Sequence, residues 1–188
     1  MAMRIAPLPE RTVWTVADVE ALPDDGNRYE ILHGALLVTP MPSSRHQDIA
    51  GRLYILVALW CRANTGWRVL APGGVHVSDT NWLEPDLAVY PAPEFSNLDW
   101  RDMSTPLPVV EELSPSTARR DRHRKRPAYP ANGVTEVWLV DGDTRAIERW
   151  TAASEFPELN PGSITWSPDA NLPSLGIPEL ALFGPVRP

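Results

Sequence analysis

The chain has 188 residues, 43% of them hydrophobic and 22% charged, which is the profile of one soluble globular domain large enough to bury a core without staples. Its one cysteine, Cys61, excludes an internal disulfide and a cysteine-based zinc cluster and makes a reducing cytoplasm the expected compartment. A net charge of -7 argues against a protein that coats nucleic acid over its whole surface, and neither a signal peptide nor a membrane span is expected.

Residues 1–13 read as a flexible N-terminal tail. Thr15 followed by VADVEALP is a short helix with Thr as its N-cap and Pro23 beyond its end. Asp24 to Asn27 form a turn, and Arg28 to Thr39, RYEILHGALLVT, reads as a hairpin over His33-Gly34. Ile49, Leu53, Leu56, Val57 and Trp60 recur at helical spacing, so residues 44–63 are predicted to form an amphipathic helix lying across a sheet. Val69 to Tyr90 should hold two or three strands, separated by turns at Gly73-Gly74 and Asp79 to Asn81. A Pro-rich loop over 91–108 leads into LPVVEEL, a further strand. Residues 116–126 are predicted as a helix that Pro127 disturbs, because proline supplies no N–H and clashes with the preceding turn. VTEVWLVD (134–141) is the most strand-like segment, continued by AIERW across a turn at 142–144. From about 152 the chain is expected to be rich in loops. The order implies a single α/β domain, bordering on α+β, with a mixed sheet flanked by helices.

Charge is unevenly placed. From Arg119 to Arg126 there are six cations and one anion, a local +5, which leaves -12 on the remainder. A basic patch on an acidic body suits a local phosphate contact, through Arg119, Arg120, Arg122, Arg124 and Arg126. Sixteen of the 17 basic residues are Arg, and Lys125 is the exception. An ammonium is a compact point charge with a shiftable pKa, properties that a catalytic site uses and a solvated surface does not.

Lys125 closes a stretch, VVEELSPSTARRDRHRK (109–125), that runs from an apolar strand ending in two carboxylates through a Ser/Pro turn into the basic segment. If the strands that follow Pro85-Asp86 and that carry Glu111 are neighbours, Asp86 and Glu111 can share one divalent ion. Their hard oxygens suit Mg²⁺ or Mn²⁺, which neutralises charge building up on a phosphate and activates a water. Glu112 points to the opposite face by strand alternation and is expected to be solvated or paired with an Arg, its backbone carbonyl remaining available to a metal. His46 reads as a capping or packing residue and Tyr129 as core. The eight Trp read as core, with one or two able to stack on bases.

With RYEILHG, PSSRHQDIAGRL, EPDLAVYP, VVEELSPSTARRDRHRK and YPANGVTEVWLVD in this order, the chain resembles the Uma-two group of the PD-(D/E)XK, or restriction-endonuclease-like, nuclease superfamily. That resemblance implies a Mg²⁺- or Mn²⁺-dependent endonuclease acting on DNA. Asp86, Glu111 and Glu30 would be the metal-binding acids and Lys125 the residue that orients the water or stabilises the transition state. It also implies a possible homodimer. The chain departs from the plain superfamily pattern at Leu113, where a lysine is usual, and supplies Lys125 from the next helix. It carries His33-Gly34-Ala35 where many relatives have Asp-Gly-Glu, and has Pro127 and Pro130 after the lysine. The alternative is a catalytically silent relative that binds nucleic acid or a protein partner.

Overall fold

A capping box starts the first helix. Thr15 Oγ1 accepts from the Asp18 N–H, the Asp18 carboxylate accepts from Thr15 N–H and O–H at 2.9 and 2.7 Å, and α1 (Val16–Glu20) follows. The computed structural model describes residues 10–92, 103, 106, 108–161 and 163–185. Most of the expected N-terminal tail and of the Pro-rich loop lies outside them.

The hairpin is as expected. Strands β1 (Arg28–Leu32) and β2 (Ala35–Thr39) are joined by His33 and Gly34, both at positive φ (51° and 76°), the twist that a two-residue hairpin turn requires. The long helix α2 (Ser44–Ala63) is capped by the Ser43 hydroxyl, which accepts from the His46 N–H at 3.2 Å. The next stretch holds four strands rather than two or three: β3 (Trp67–Leu70), β4 (Val75–Ser78), β5 (Asn81–Leu83) and β6 (Leu87–Pro91). After the loop come β7 (Val109–Leu113), β8 (Glu136–Asp141), β9 (Ala146–Thr151) and β10 (Glu158–Pro161). The segment after residue 152 is more regular than expected, adding to β10 the pair β11 (Ile164–Trp166) and β12 (Leu175–Ile177) and the helix α5 (Glu179–Phe183).

These strands form a six-stranded sheet in the order β10-β9-β8-β7-β6-β3, a four-stranded sheet β2-β1-β5-β4 and the β11-β12 ribbon. Every pairing is antiparallel except β7 with β8. A parallel pair needs a crossover, and here the basic segment supplies it.

In that crossover the disturbance expected at Pro127 takes the form of a π-helical turn, and the helical segment runs on beyond residue 126 to Ala131. Helix α3 (Ala118–Arg120) passes through a π-helical turn (Asp121–Lys125) directly into α4 (Arg126–Ala131). In the π turn the Arg126 N–H reaches back to Asp121 O. The next bond of that pattern would come from residue 127, whose proline has no N–H. Arg122 O takes Arg126 Nε instead, at 3.2 Å, so the proline costs no buried carbonyl its partner. The wider turn also buries Asp121 and Lys125 together on the inner side.

Helix α2 buries Ile49, Leu53, Val57 and Trp60 against one face of the six-stranded sheet, where Trp166 stands edge-on to Trp60 and Trp138 at centroid separations of 5.3 and 5.9 Å. On the other face Tyr90, Tyr129, Val137 and Leu139 form a second core beneath the β1–β2 hairpin and α4. The acids of β1 and β7 and the lysine of the π turn lie along this second core.

Candidate active site

Asp86 immediately precedes β6. Leu87 pairs with Val110 in the antiparallel register, so one step outward Asp86 faces Glu111 across the strand pair. The Glu112 N–H donates to Asp86 Oδ2 at 2.8 Å and fixes the carboxylate there. Glu30 comes from the middle of β1. Lys125, only 2% exposed, points in from the π turn. Its Nζ lies 2.8 Å from Glu30 Oε1 and 2.5 Å from Glu111 Oε1. The four residues singled out in the sequence, Glu30, Asp86, Glu111 and Lys125, therefore line one cavity of about 350 Å³. Its rim is Thr39 to Ser43 on one side and Ser114 to Thr117 on the other.

Two ionic networks meet in this cavity. In the first, Glu30 Oε1 accepts from the Glu84 N–H at 2.8 Å as well as from Lys125, and Tyr129 O–H donates to Glu111 Oε1. Buried Asp121 is the third carboxylate around the ammonium, with Arg120 Nε 3.6 Å from its Oδ1. In the second, Asp86 Oδ1 takes Arg28 Nη1 at 2.9 Å and His46 Nε2 at 3.1 Å, while His46 Nδ1 meets Glu112 Oε2.

Electrostatics separates the two acids that face each other. Burial disfavours the Asp86 anion, yet the hydrogen bond and charge of His46, the Arg28 guanidinium and the Glu112 N–H bring its pKa down to about 2. Burial likewise disfavours the imidazolium of His46, and Asp86 with Glu112 outweighs that, raising it to about 9. Burial pushes the Glu111 carboxyl up. Lys125 opposes the shift, but Asp121, Asp86 and Glu30 reinforce it. Lys125 itself is raised above its ordinary value, because Glu111, Glu30 and Asp121 overcome its desolvation. Glu111 is therefore held above the ordinary carboxyl range by burial, although Lys125 stands 2.5 Å away.

Asp86, just before β6, and Glu111 on β7 bring hard oxygens side by side, but Asp86 Oδ1 already accepts from Arg28 and His46 and Oδ2 from the Glu112 N–H, so an ion would have to share those oxygens with their present donors. Among the described residues no group of three or more His, Cys, Asp or Glu forms a ready-made metal cage. Two carboxylates completed by water and substrate phosphate are the usual environment of Mg²⁺, so the donor set fits that ion. In this arrangement one oxygen of Glu30 is committed to Lys125 and the Glu84 N–H.

The basic segment divides. Arg122 is held by Glu148 at 2.7 Å and Asp141 at 3.4 Å, and Arg126 lies over the Trp150 ring at 4.0 Å, so both are drawn onto β8 and β9. Arg120 lines the cavity and bonds Thr39 Oγ1 at 2.7 Å. Arg119 and Arg124 are exposed.

The family model described as "Uma2: Putative restriction endonuclease" matches residues 16–181. The chain belongs to the Uma2 family. A crystal structure described as a "putative nuclease belonging to DUF820" from Anabaena variabilis ATCC 29413 superposes with a TM-score of 0.71 at 19% identity, covering 90% of this chain and 97% of that one. No curated protein matches. The fold of this Uma2 chain is restriction-endonuclease-like, a mixed sheet flanked by helices.

Sequence reasoning missed five participants: Arg28, which holds Asp86, Asp121, the third acid at Lys125, and His46, Glu112 and Tyr129. His46 was read as a cap or packing residue but ties Asp86 to Glu112; three separate elements bring these groups together, which no local spacing announces. Glu112 is buried on that histidine rather than solvated, and among the described residues its ion pair is with His46 and not with an arginine. Tyr129 is core, as expected, but its hydroxyl holds Glu111. The four-residue interval from Asp121 to Lys125 was the only hint that both acid and amine face inward.

Proposed function

We propose that this protein is a Mg²⁺- or Mn²⁺-dependent endonuclease that hydrolyses phosphodiester bonds of DNA. The observation that carries the reading is the Lys125 ammonium within 2.8 Å of both Glu30 and Glu111, in the cavity that also holds Asp86 opposite Glu111. Asp86 and Glu111 would hold the ion, with Glu30 as a further acid beside it. When bound, the ion would polarise the phosphate and lower the pKa of an attacking water.

The protein's own groups have defined tasks. Arg28 and His46 keep Asp86 ionised and aimed into the cavity. Glu30 and Glu111 hold the Lys125 ammonium at the cavity wall, where it meets negative charge developing on a phosphate oxygen. Tyr129 fixes the rotamer of Glu111 by donating to one oxygen, leaving the other for the cavity. Arg120, and beyond it Arg119 and Arg124, meet the backbone of the nucleic acid. Family membership supports the hydrolytic class, and the site residues support the metal.

Conversion of supercoiled plasmid to nicked circles, with and without Mg²⁺ or Mn²⁺, tests the reading. Divalent-dependent nicking that disappears in Asp86→Ala is expected; nicking untouched by that substitution overturns the assignment. A second reading, a silent relative that only binds nucleic acid, is favoured by one observation: both Lys125 contacts are already satisfied by protein carboxylates. Metal-independent binding with no cleavage of any substrate would establish it.

A further inference from the structure

Two more cavities continue the first one along α2. The next, about 320 Å³, shares Arg28, Pro42, His46 and Asp86 with the catalytic cavity and runs on past Gln47, Gly51 and Tyr54. The third, about 580 Å³, shares Tyr54 and continues to Arg62, Trp67 and Arg68. The shared residues place the three cavities end to end along α2, from the carboxylate pair past Tyr54 to the stretch lined by Arg62 and Arg68.

Their chemistry differs from the surrounding surface. The described residues lining the two outer cavities include Arg28, Arg62 and Arg68 but only one acid, Asp86, at the catalytic end. The protein as a whole carries -7. Tyr54 is 40% exposed, and a side chain added at Gly51 beside it would meet nothing within 4 Å, so the helix face there is open to a flat ligand. Cations spaced along a groove with aromatic rings between them match what a single nucleic-acid strand requires: phosphates on the cations, bases on the rings.

We propose that this row of cavities along α2 is the track of one DNA strand leaving the catalytic cavity, with Tyr54 and Trp67 as stacking platforms and Arg62 and Arg68 as phosphate contacts. The proposal rests on the nuclease reading for what lies at its inner end. From His46 to Arg62 the helix rises about 24 Å, the span of about seven stacked nucleotides at about 3.4 Å each.

Fluorescence anisotropy of labelled oligothymidines of increasing length, in EDTA so that nothing is cut, reads the track. Affinity is expected to rise up to about seven nucleotides and then level off. Tyr54→Ala should weaken binding of the longer oligomers on the order of tenfold. The double variant Arg62→Gln/Arg68→Gln should lower the slope of log K against log salt by about 1.4, since each lost contact to a single strand removes about 0.7. Melting temperatures report whether each variant is folded, and Arg62→Gln alone, at an exposed position, keeps the test open if the double variant is not. Oligomers that do not bind the wild type, or that bind these variants equally well, overturn the track. Binding along it with no phosphodiester cleavage keeps the track and sinks the nuclease reading, whereas cleavage indifferent to Tyr54 and Arg62 does the reverse.

Discussion

Replacing Lys125 by methionine keeps the length of the side chain and removes the charge that three buried carboxylates share. At 2.8 and 2.5 Å each ion pair attracts by about 6 kcal/mol at an effective dielectric of about 20, and desolvation of the buried ions offsets much of that. Taking one partner from a buried pair leaves the other uncompensated, which typically costs about 3–5 kcal/mol. For a domain of this size Tm should fall by about 6–20 °C at pH 8. The loss has a definite pH dependence. Burial already holds the Glu111 carboxyl above its unfolded value against the pull of Lys125, and without the ammonium that rise is larger. Glu111 then destabilises the protein above the unfolded carboxyl range, and stability recovers as pH falls and it takes up a proton. The Tm gap to wild type should therefore narrow from pH 8 to pH 5. A divalent ion at ten times its Kd adds about 1.4 kcal/mol to the protein that holds it, so it raises the wild type and leaves the gap unchanged if the variant binds it equally. Differential scanning fluorimetry across pH, with and without Mg²⁺, measures both effects. A variant melting within about one degree of wild type at pH 8, with no trend toward acid, would refute the claim that Lys125 holds these acids together.

Because His46 is raised from 6.5 to about 9, it contributes stability that is fully present below pH 6.5 and is lost as pH rises through 9. Urea unfolding of His46→Gln should show a flatter stability profile over that window than wild type. Asp86, lowered to about 2, contributes stability present above about pH 4 and lost as pH falls through 2, so Asp86→Asn should reduce the slope of acid unfolding in that range. Tyr129→Phe removes a buried hydrogen bond to a carboxylate and should cost about 1.5–3 kcal/mol in denaturant unfolding. Gly73→Ala would place a methyl 2.4 Å from Ala88 Cβ and 3.1 Å from its backbone N, and should destabilise by about 1–3 kcal/mol from overpacking alone.

The sequence was most readable where one signal was local and strong. VTEVWLVD and VVEEL are apolar runs with nowhere to go but a buried sheet, and both are central strands. His33-Gly34 marked its hairpin because both residues tolerate positive φ. The lone lysine among arginines pointed to the cavity because burying an ammonium among acids is something guanidinium would do differently. What stayed hidden depended on distant partners. His46, Asp86 and Glu112 lie on three elements, and only their convergence turns a helix-capping histidine into a clamp. That Pro127 disturbs its helix was legible, but the form of the disturbance was not, because the π turn that accommodates it, with Arg126 Nε satisfying Arg122 O, is a property of the folded segment and has no residue signature. The division of the basic run into inward and outward arginines likewise follows from Glu148 and Trp150, which lie more than twenty residues further on.

The central claim, that Glu111 and Asp86 form a hydrolytic cation site beside Lys125, is tested most directly by single-turnover cleavage of an end-labelled DNA duplex at saturating Mn²⁺, comparing wild type with the near-isosteric Glu111→Gln. The account predicts divalent-dependent cleavage by the wild type and a rate at least on the order of a hundredfold lower in the variant, from loss of electrostatic stabilisation in the transition state. Equal rates in the two proteins, or no cleavage by the wild type at any metal concentration, would contradict it.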